Sequence, residues 1–545
     1  MTYEKKSYMP VNQEYIKPLL VTSSGGGGHI TAIMGLHGFL TQKFTGVKLP
    51  SYEPVLFKDK PESSLRDQVQ LGISMLHAPV IGSPIQSLLS YTTFPNLPDK
   101  RSLEREIAAL SQKEEAKKRP YIDMLLDVYP AGYEYAAIWN IFQRNDVTSE
   151  LKKLIALQER SDQENERAVE RYFLNLLTEA AKAHEAYTEI ISTQAMGLPG
   201  LCNAVLAYNH WVEARPHLKA PKVFIQQYMT DLPTKGAVHF FNALASLKQE
   251  QQAQMLLYAL GMEEDIIQHF FPQGAFFKAI FDIPVNDNPM VRPGLKTVNA
   301  DHSSHFHQPI MLTLSGEPQA YLVEANELVA SILLGSQIGK DSIAYAEILL
   351  KNAVDRVFVF GGQSPMIQAE IAAILKVSPQ YKEKIIPLNY QGDTELAALM
   401  SRSNFIIIRG GGLCVMEQLA MKHSPEQTVL VHHSHGADGE LTSGISWEDD
   451  NVDNLITDLQ RRGVHALKTT PARAGIDIAQ ARLIAALKCY GLNKLNAIQI
   501  SEAIDRLQQL PEAQLTFYVA ALKNGNDPFQ SFPQDLLNYL AGVNS

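Results

Sequence analysis

The chain has 545 residues, 45% of them apolar, with 48 Lys and Arg against 58 Asp and Glu and a formal net charge of −10. Length and apolar content allow about two to four domains with sizeable cores and exclude global disorder, and the acidic balance argues against a dedicated nucleic-acid binder. Three widely spaced cysteines (Cys202, Cys414, Cys489) match neither a disulfide framework nor a zinc site, the N-terminus is not followed by a signal-type apolar core, and no run approaches the ~18 apolar residues of a spanning helix.

In chain order, the first predicted strand is 17–22. It runs into Ser23-Ser24 and the glycines Gly25, Gly26, Gly27 and Gly28, and His29 opens a predicted helix at 30–43. Successive glycines allow a tight strand-to-helix turn and let another group approach the backbone closely. The helix start aims free N–H groups and the positive end of its dipole at that space, and His29 is the side chain best suited to take a proton near neutral pH. An ordinary glycine turn with an incidental histidine is the competing reading. Residues 100–185 read as a helical insertion. Strand signals return at Glu189–Thr193 and at Lys222–Tyr228, the latter followed by Met229-Thr230-Asp231-Leu232, and a helical block is predicted over 237–282.

Residues 283–309 are rich in Pro, Asn, Asp and His and read as the interdomain linker. Beyond it the pattern is regular. A strand at 330–334 leads into Gly335-Ser336-Gln337-Ile338-Gly339 and helix 341–353. A strand at 356–360 leads into Gly361-Gly362-Gln363 and helix 366–376. A strand at 384–388 precedes helix 394–402. A strand at 404–408 leads into Arg409-Gly410-Gly411-Gly412-Leu413 and helix 413–422, and a last strand lies at 428–431. Strands alternating with helices predict a doubly wound parallel sheet, whose ligands bind beyond the carboxyl ends of its strands. The last ~70 residues read as helical.

Two α/β domains with Gly-rich loops after their strands resemble the GT-B glycosyltransferase architecture, and the specific likeness is to the MurG and monogalactosyldiacylglycerol synthase group. Gly25–His29 resembles that group's opening Gly-x-Gly-Gly-His. Gly335–Gly339 is a degenerate form of its Gly-Gly-Ser-x-Gly loop, and Gly410–Glu417 resembles its Gly-Gly-(Leu/Ala)-Thr-x-x-Glu. Ile190–Gly200 and Thr230-Asp231-Leu232 match two further pieces, and the set occurs in family order. The departures are the large insertion, Cys414 in place of the threonine, and His432-His433-Ser434-His435-Gly436 where a Gln-x-x-Asn region is usual.

The resemblance implies two doubly wound Rossmann-like domains facing a cleft, with the helical insertion in the first. It implies an acceptor-side domain at 1–300, a nucleotide-sugar domain at 301–500, and C-terminal helices at 501–545 expected to pack back on the first domain. It implies transfer of a sugar from a nucleotide-sugar, a UDP-sugar by preference, with inversion and without a metal or other cofactor. His29 is then the base, with Asp231 as base or orienter. Gly27, Gly28, Gly335, Ser336, Gln337, Gly362, Gln363, Arg409, Gly410, Gly411, Gly412 and Leu413 hold the donor, and Glu417 takes the ribose hydroxyls. The acceptor is left open among lipid, small molecule and protein. A bacterial cytoplasmic location is expected, or a host cytosol if the chain is a secreted effector.

Other candidates carry less. The histidines of Asp301–His307 and His432–His435 match no metal-ligand spacing, and Glu448-Asp449-Asp450 reads as an exposed acidic turn. Two other functions share the fold: a sugar-nucleotide 2-epimerase, and a catalytically idle scaffold whose insertion binds a protein partner.

Overall fold

The computed structural model describes residues 17–24, 27–44, 46–59, 98–115, 118–145, 151, 154, 158–234, 238–297, 309–314, 317–324, 327–335, 341–361, 365–389, 391–424, 427–435, 441–442, 446–491, 497–523 and 534–540. It divides into two compact units. The first is Met1–Pro293 with the short segments Gly411–Met416 and Ile445–Asn451; the second is Gly294–Gly410, Glu417–Gly444 and Val452–Ser545. Among the described residues no helix is long and apolar enough to cross a membrane.

The first unit is built on six parallel strands: β1 (Pro18–Thr22), β2 (Ile122–Asp123), β3 (Glu189–Ser192), β4 (Ile225–Tyr228), β5 (Met255–Ala259) and β6 (Ala279–Asp282), in the order β2-β1-β3-β4-β5-β6. Every residue of β1 is buried, as expected of a central parallel strand covered on both faces. Leu19, Val21, Ile190, Ile225 and Leu257 join Tyr133, Phe173, Leu201 and Tyr208 from the flanking helices in one core. The block at 237–282 is not wholly helical: after the short helices Val238–Ala245 and Gln249–Gln252 it contains β5, and after helix Glu264–Phe270 it ends in β6. The segment 100–185 supplies the helices Lys100–Glu114, Gly132–Arg144 and Gln158–Lys182. It also supplies edge strand β2 and a turn of wide helix, Met124–Val128. Asp99 starts the first of these helices by accepting from Ser102 N at 3.0 Å and Ser102 Oγ at 2.7 Å.

At the head of β3, Glu189 accepts a hydrogen bond from Gln226 Nε2. Burial pushes the Glu189 carboxyl up to about 7, against the opposing effect of that bond. A carboxyl that binds its proton more tightly folded than unfolded loses stability as pH rises from its unfolded value through its folded one. Glu189→Gln is therefore expected to raise the melting temperature at pH 8, with the gain shrinking toward pH 4.5, the ordinary value of the group. Parallel melting curves of the two proteins from pH 4.5 to 8 check this; a gain that does not change with pH would contradict it.

The second unit opens with an antiparallel hairpin, β7 (Pro309–Leu314) and β8 (Glu317–Leu322). Its main sheet is again parallel. Strands β9 (Val329–Leu333), β10 (Arg356–Phe360), β11 (Ile385–Leu388), β12 (Phe405–Ile408) and β13 (Thr428–His432) fall where the sequence pattern places them. After the short pair β14 (Ser434–His435) and β15 (Leu441–Thr442), strand β16 (His465–Thr469) adds an edge that the pattern does not reveal. The order is β11-β10-β9-β12-β13-β16. Helices Ala474–Gly491, Ala497–Gln508, Glu512–Lys523 and Gln534–Leu540 share a core of Leu483, Leu487, Leu507, Leu515 and Leu536 within this unit.

Both sheets contain a switch point, where successive crossovers go to opposite sides. In the first it lies between β1 and β3, in the second between β9 and β12. Ligands of doubly wound sheets bind in the crevice beyond the carboxyl ends of the strands at such points.

Candidate active site

In the first unit the switch point holds His29. Helix Gly27–Lys43 begins two residues before it, and the ring lies beside the ends of β3 and β4. His29 Nδ1 is 2.7 Å from the Thr193 carbonyl oxygen and 3.1 Å from Thr230 Oγ1. A carbonyl only accepts, so Nδ1 carries the proton and Nε2 is left with the lone pair. The main chain is fixed as well: Thr193 Oγ1 donates to the His29 carbonyl at 3.1 Å, and Thr22 Oγ1 donates to Thr193 Oγ1 at 3.0 Å. The Phe240 ring stands edge-on at 6.1 Å. Burial lowers the His29 pKa below its ordinary 6.5, with the Thr193 bond acting in the opposite direction. The imidazole is thus neutral near pH 7, with a basic Nε2 and an oriented ring.

Asp231 follows β4 and is buried. Its Oδ2 accepts from Thr230 Oγ1 at 3.4 Å and its Oδ1 from Asn451 Nδ2 at 3.3 Å. Gly412, which the first unit's contacts include, has a reason to be glycine here. A Cβ at that position would stand 2.2 Å from the Thr230 carbonyl oxygen and 2.4 Å from Asp231 Oδ1. Gly412→Ala is expected to cost ~1–3 kcal/mol through overpacking and to push the 230–231 turn aside. The fall in denaturant midpoint measures it, and an unchanged midpoint would contradict the packing argument. A Cβ on Gly28 would lie 3.8 Å from Leu413 Cβ, so these two predicted positions approach each other.

In the second unit, Gly335 ends the chain out of β9 with φ of 96°, a left-handed conformation that suits glycine. Arg409 and Gly410 follow β12 and precede helix Gly412–Ala420, so both loops belong to the β9/β12 switch point. Glu417 lies in the second turn of that helix, 6% exposed. Ser336, Gln337, Gly362 and Gln363 lie outside the described residues, as do Gly25, Gly26 and 301–307. His432 Nδ1 bonds Tyr345 Oη at 2.9 Å, and its Nε2 is 3.5 Å from Asp341 Oδ2. His433 Nδ1 is 3.1 Å from the Val431 carbonyl oxygen. Among the described residues no group of three or more His, Cys, Asp and Glu is placed to hold a metal.

Four residues around His29 received no role from the sequence. Thr193, Thr230 and Asn451 are three. The fourth is Asp123 at the end of β2, whose Oδ1 accepts from the backbone N–H of Ser24 at 3.3 Å and of Leu125 and Leu126 at 3.0 Å. Burial, with Asp127 beside it, pushes its carboxyl up to about 6. Asp127 takes Arg119 Nη2 at 2.6 and 2.8 Å. For Thr193 and Thr230 the readable signal is position, since each stands at or just past the end of a strand; Asp123 ends β2, a two-residue strand within the segment read as a helical insertion, and nothing local marks Asn451.

No protein-family model matches the chain, and no curated protein does. Among solved structures, a UDP-glucosyltransferase from Polygonum tinctorium, in complex with 3,4-dichloroaniline, matches 98% of this chain and 99% of its own at 11% identity and a TM-score of 0.36. HepE from Anabaena, with UDP and glucose, matches 56% of this chain and 80% of its own at 13% identity and a TM-score of 0.26. The catalytic domain of starch synthase IV from Arabidopsis thaliana, bound to ADP and acarbose, matches 70% and 78% at 10% identity and a TM-score of 0.30. At such scores the functional reading rests on the chain's own residues.

Proposed function

We propose that the chain is a nucleotide-sugar glycosyltransferase of the GT-B type, as its resemblance to the MurG and monogalactosyldiacylglycerol synthase group implies. One observation carries the reading. The residues that the motifs single out stand at the switch points of two separate parallel sheets, His29 at β1/β3 and Gly335 with Arg409–Gly410 at β9/β12. That is where doubly wound sheets bind ligands.

In this reading His29 Nε2 takes the proton of an acceptor hydroxyl as its oxygen attacks the anomeric carbon and the nucleoside diphosphate leaves. The negative charge that develops on the leaving diphosphate is met by Arg409 and by the start of helix Gly412–Ala420, and Glu417 accepts from the ribose hydroxyls. These groups supply the stabilisation without a divalent ion. A UDP-sugar is the expected donor, with the first domain on the acceptor side. A cytoplasmic place in bacteria, or in a host for a secreted member, goes with the same reading.

A thermal-shift panel of nucleotides and nucleotide sugars, run with and without a chelator, tests this. Stabilisation by UDP or a UDP-sugar that survives chelation is the expected result. No stabilisation by any nucleotide would overturn the proposal, and loss on chelation restored by manganese or magnesium would overturn its metal independence.

A further inference from the structure

His29 and Asp231 are linked through a hydroxyl. The His29 Nδ1 proton is shared between the Thr193 carbonyl at 2.7 Å and Thr230 Oγ1 at 3.1 Å. The one hydroxyl proton of Thr230 is directed at Asp231 Oδ2, 3.4 Å away. A hydroxyl that accepts from one group and donates to another transmits polarisation between them without moving a proton. Thr230 and Asp231 are 6% and 7% exposed, so water screens this chain weakly. The far carboxylate oxygen is held by Asn451, and the whole 230–231 turn rests against Gly412 at the start of a helix, an end that favours negative charge.

We propose that Thr230 is a positioning residue for the reaction: oriented by Asp231, it holds the His29 ring with Nε2 presented as the base and supports the imidazolium that forms. This rests on the transferase reading and deepens it, because it assigns Asp231 to orientation and not to proton transfer. The acceptor's O–H bond breaks and its proton goes to Nε2. The freed electron pair forms the bond to the anomeric carbon, and the pair of the breaking C–O bond leaves on the nucleoside diphosphate. Nδ1 keeps its proton throughout, and Asp231 neither gives nor takes one. The developing charge on the ring shortens the Nδ1–H contacts to Thr193 and Thr230, and the Asp231 carboxylate strengthens the second of these through the hydroxyl.

The test reads the His29 ring directly, by NMR titration of histidine labelled at Cε1, and so does not depend on turnover. Thr230→Val keeps the volume and removes the hydroxyl. It is expected to lower the His29 pKa by about half a unit or more and kcat by roughly 10-fold, with the donor KM unchanged. Thr230→Ser is expected to restore both. Asp231→Asn should lower the His29 pKa when Thr230 is present and lower it by clearly less in the Thr230→Val background, where only the through-space part of its effect remains. Thr230→Ala serves for the same comparison should the valine variant not fold. A Thr230→Val or Thr230→Ala protein that titrates like the parent overturns the proposal. So does an Asp231→Asn shift of equal size with and without the hydroxyl. If the parent chain turns over no nucleotide sugar, the transferase reading falls, and the titrations still decide the coupling.

Discussion

His29→Ala is expected to slow sugar transfer by about 10²–10⁴-fold, the range typical of a lost general base. Nε2 carries the lone pair because the Thr193 carbonyl, 2.7 Å away, accepts the Nδ1 proton. Alanine removes that base and leaves the residues assigned to the donor in place, so nucleotide affinity should stay within error of the parent's. The pH profile adds an independent check. The active form is the neutral imidazole, and burial holds its pKa below 6.5. Activity should therefore rise with pH through a midpoint below that value and level off by neutrality. In His29→Ala the acid limb should vanish from the residual rate. Near-normal transfer on a confirmed acceptor, or an acid limb that persists in the variant, would remove His29 from the mechanism. A turn histidine with only a packing role forecasts little change in either quantity.

Glu417→Ala is expected to weaken donor binding by the ~1.5–3 kcal/mol of hydrogen bonds to a charged group, roughly 10- to 150-fold in Kd. The carboxylate sits in the second turn of the helix that follows β12, buried, and behind a loop that carries Arg409 and Gly410. Its assigned partners are the two ribose hydroxyls, which are bound alike before and during transfer. The loss should therefore fall on donor Kd and KM, with kcat at saturation little changed. Calorimetry with UDP measures it. Unchanged affinity in a folded variant would sink the ribose assignment. Because Glu417 and His29 are assigned to different partners, the double variant should show the two effects nearly additively, one in Kd and one in kcat.

The strands that were legible in the sequence share a physical cause. β1, β9, β10, β12 and β13 are short apolar runs that end at or near glycine, serine or histidine loops, and they are buried on both faces as parallel central strands are. β5 and β6 were hidden because Met255–Ala259 and Ala279–Asp282 sit among helical segments, and apolar runs this short do not declare a period. β2 has two residues, and β16 is an edge strand whose apolar pair Ala466 and Leu467 is flanked by His465 and Lys468. The same holds for the site. His29 was visible because a glycine run marks a strand-to-helix turn. The roles of Thr193 and Thr230 depend on β3 lying beside β1 and β4 beside β3, which is a property of the sheet order. Asn451 reaches Asp231 from 220 residues away, and no local pattern encodes that. Gly412 was assigned to donor binding from its motif. Its close approach to Thr230 and Asp231 is a second demand on the same position, visible only in three dimensions.

The measurement that bears most directly on the account is release of nucleoside diphosphate from a panel of nucleotide sugars by the full chain, with a chelator present throughout. The account predicts that a UDP-sugar is consumed slowly with water as acceptor, at a rate the chelator does not change, yielding UDP and the free sugar. Failure of every nucleotide sugar in the panel to bind or to be cleaved would contradict it, as would cleavage that stops on chelation and returns only with manganese or magnesium.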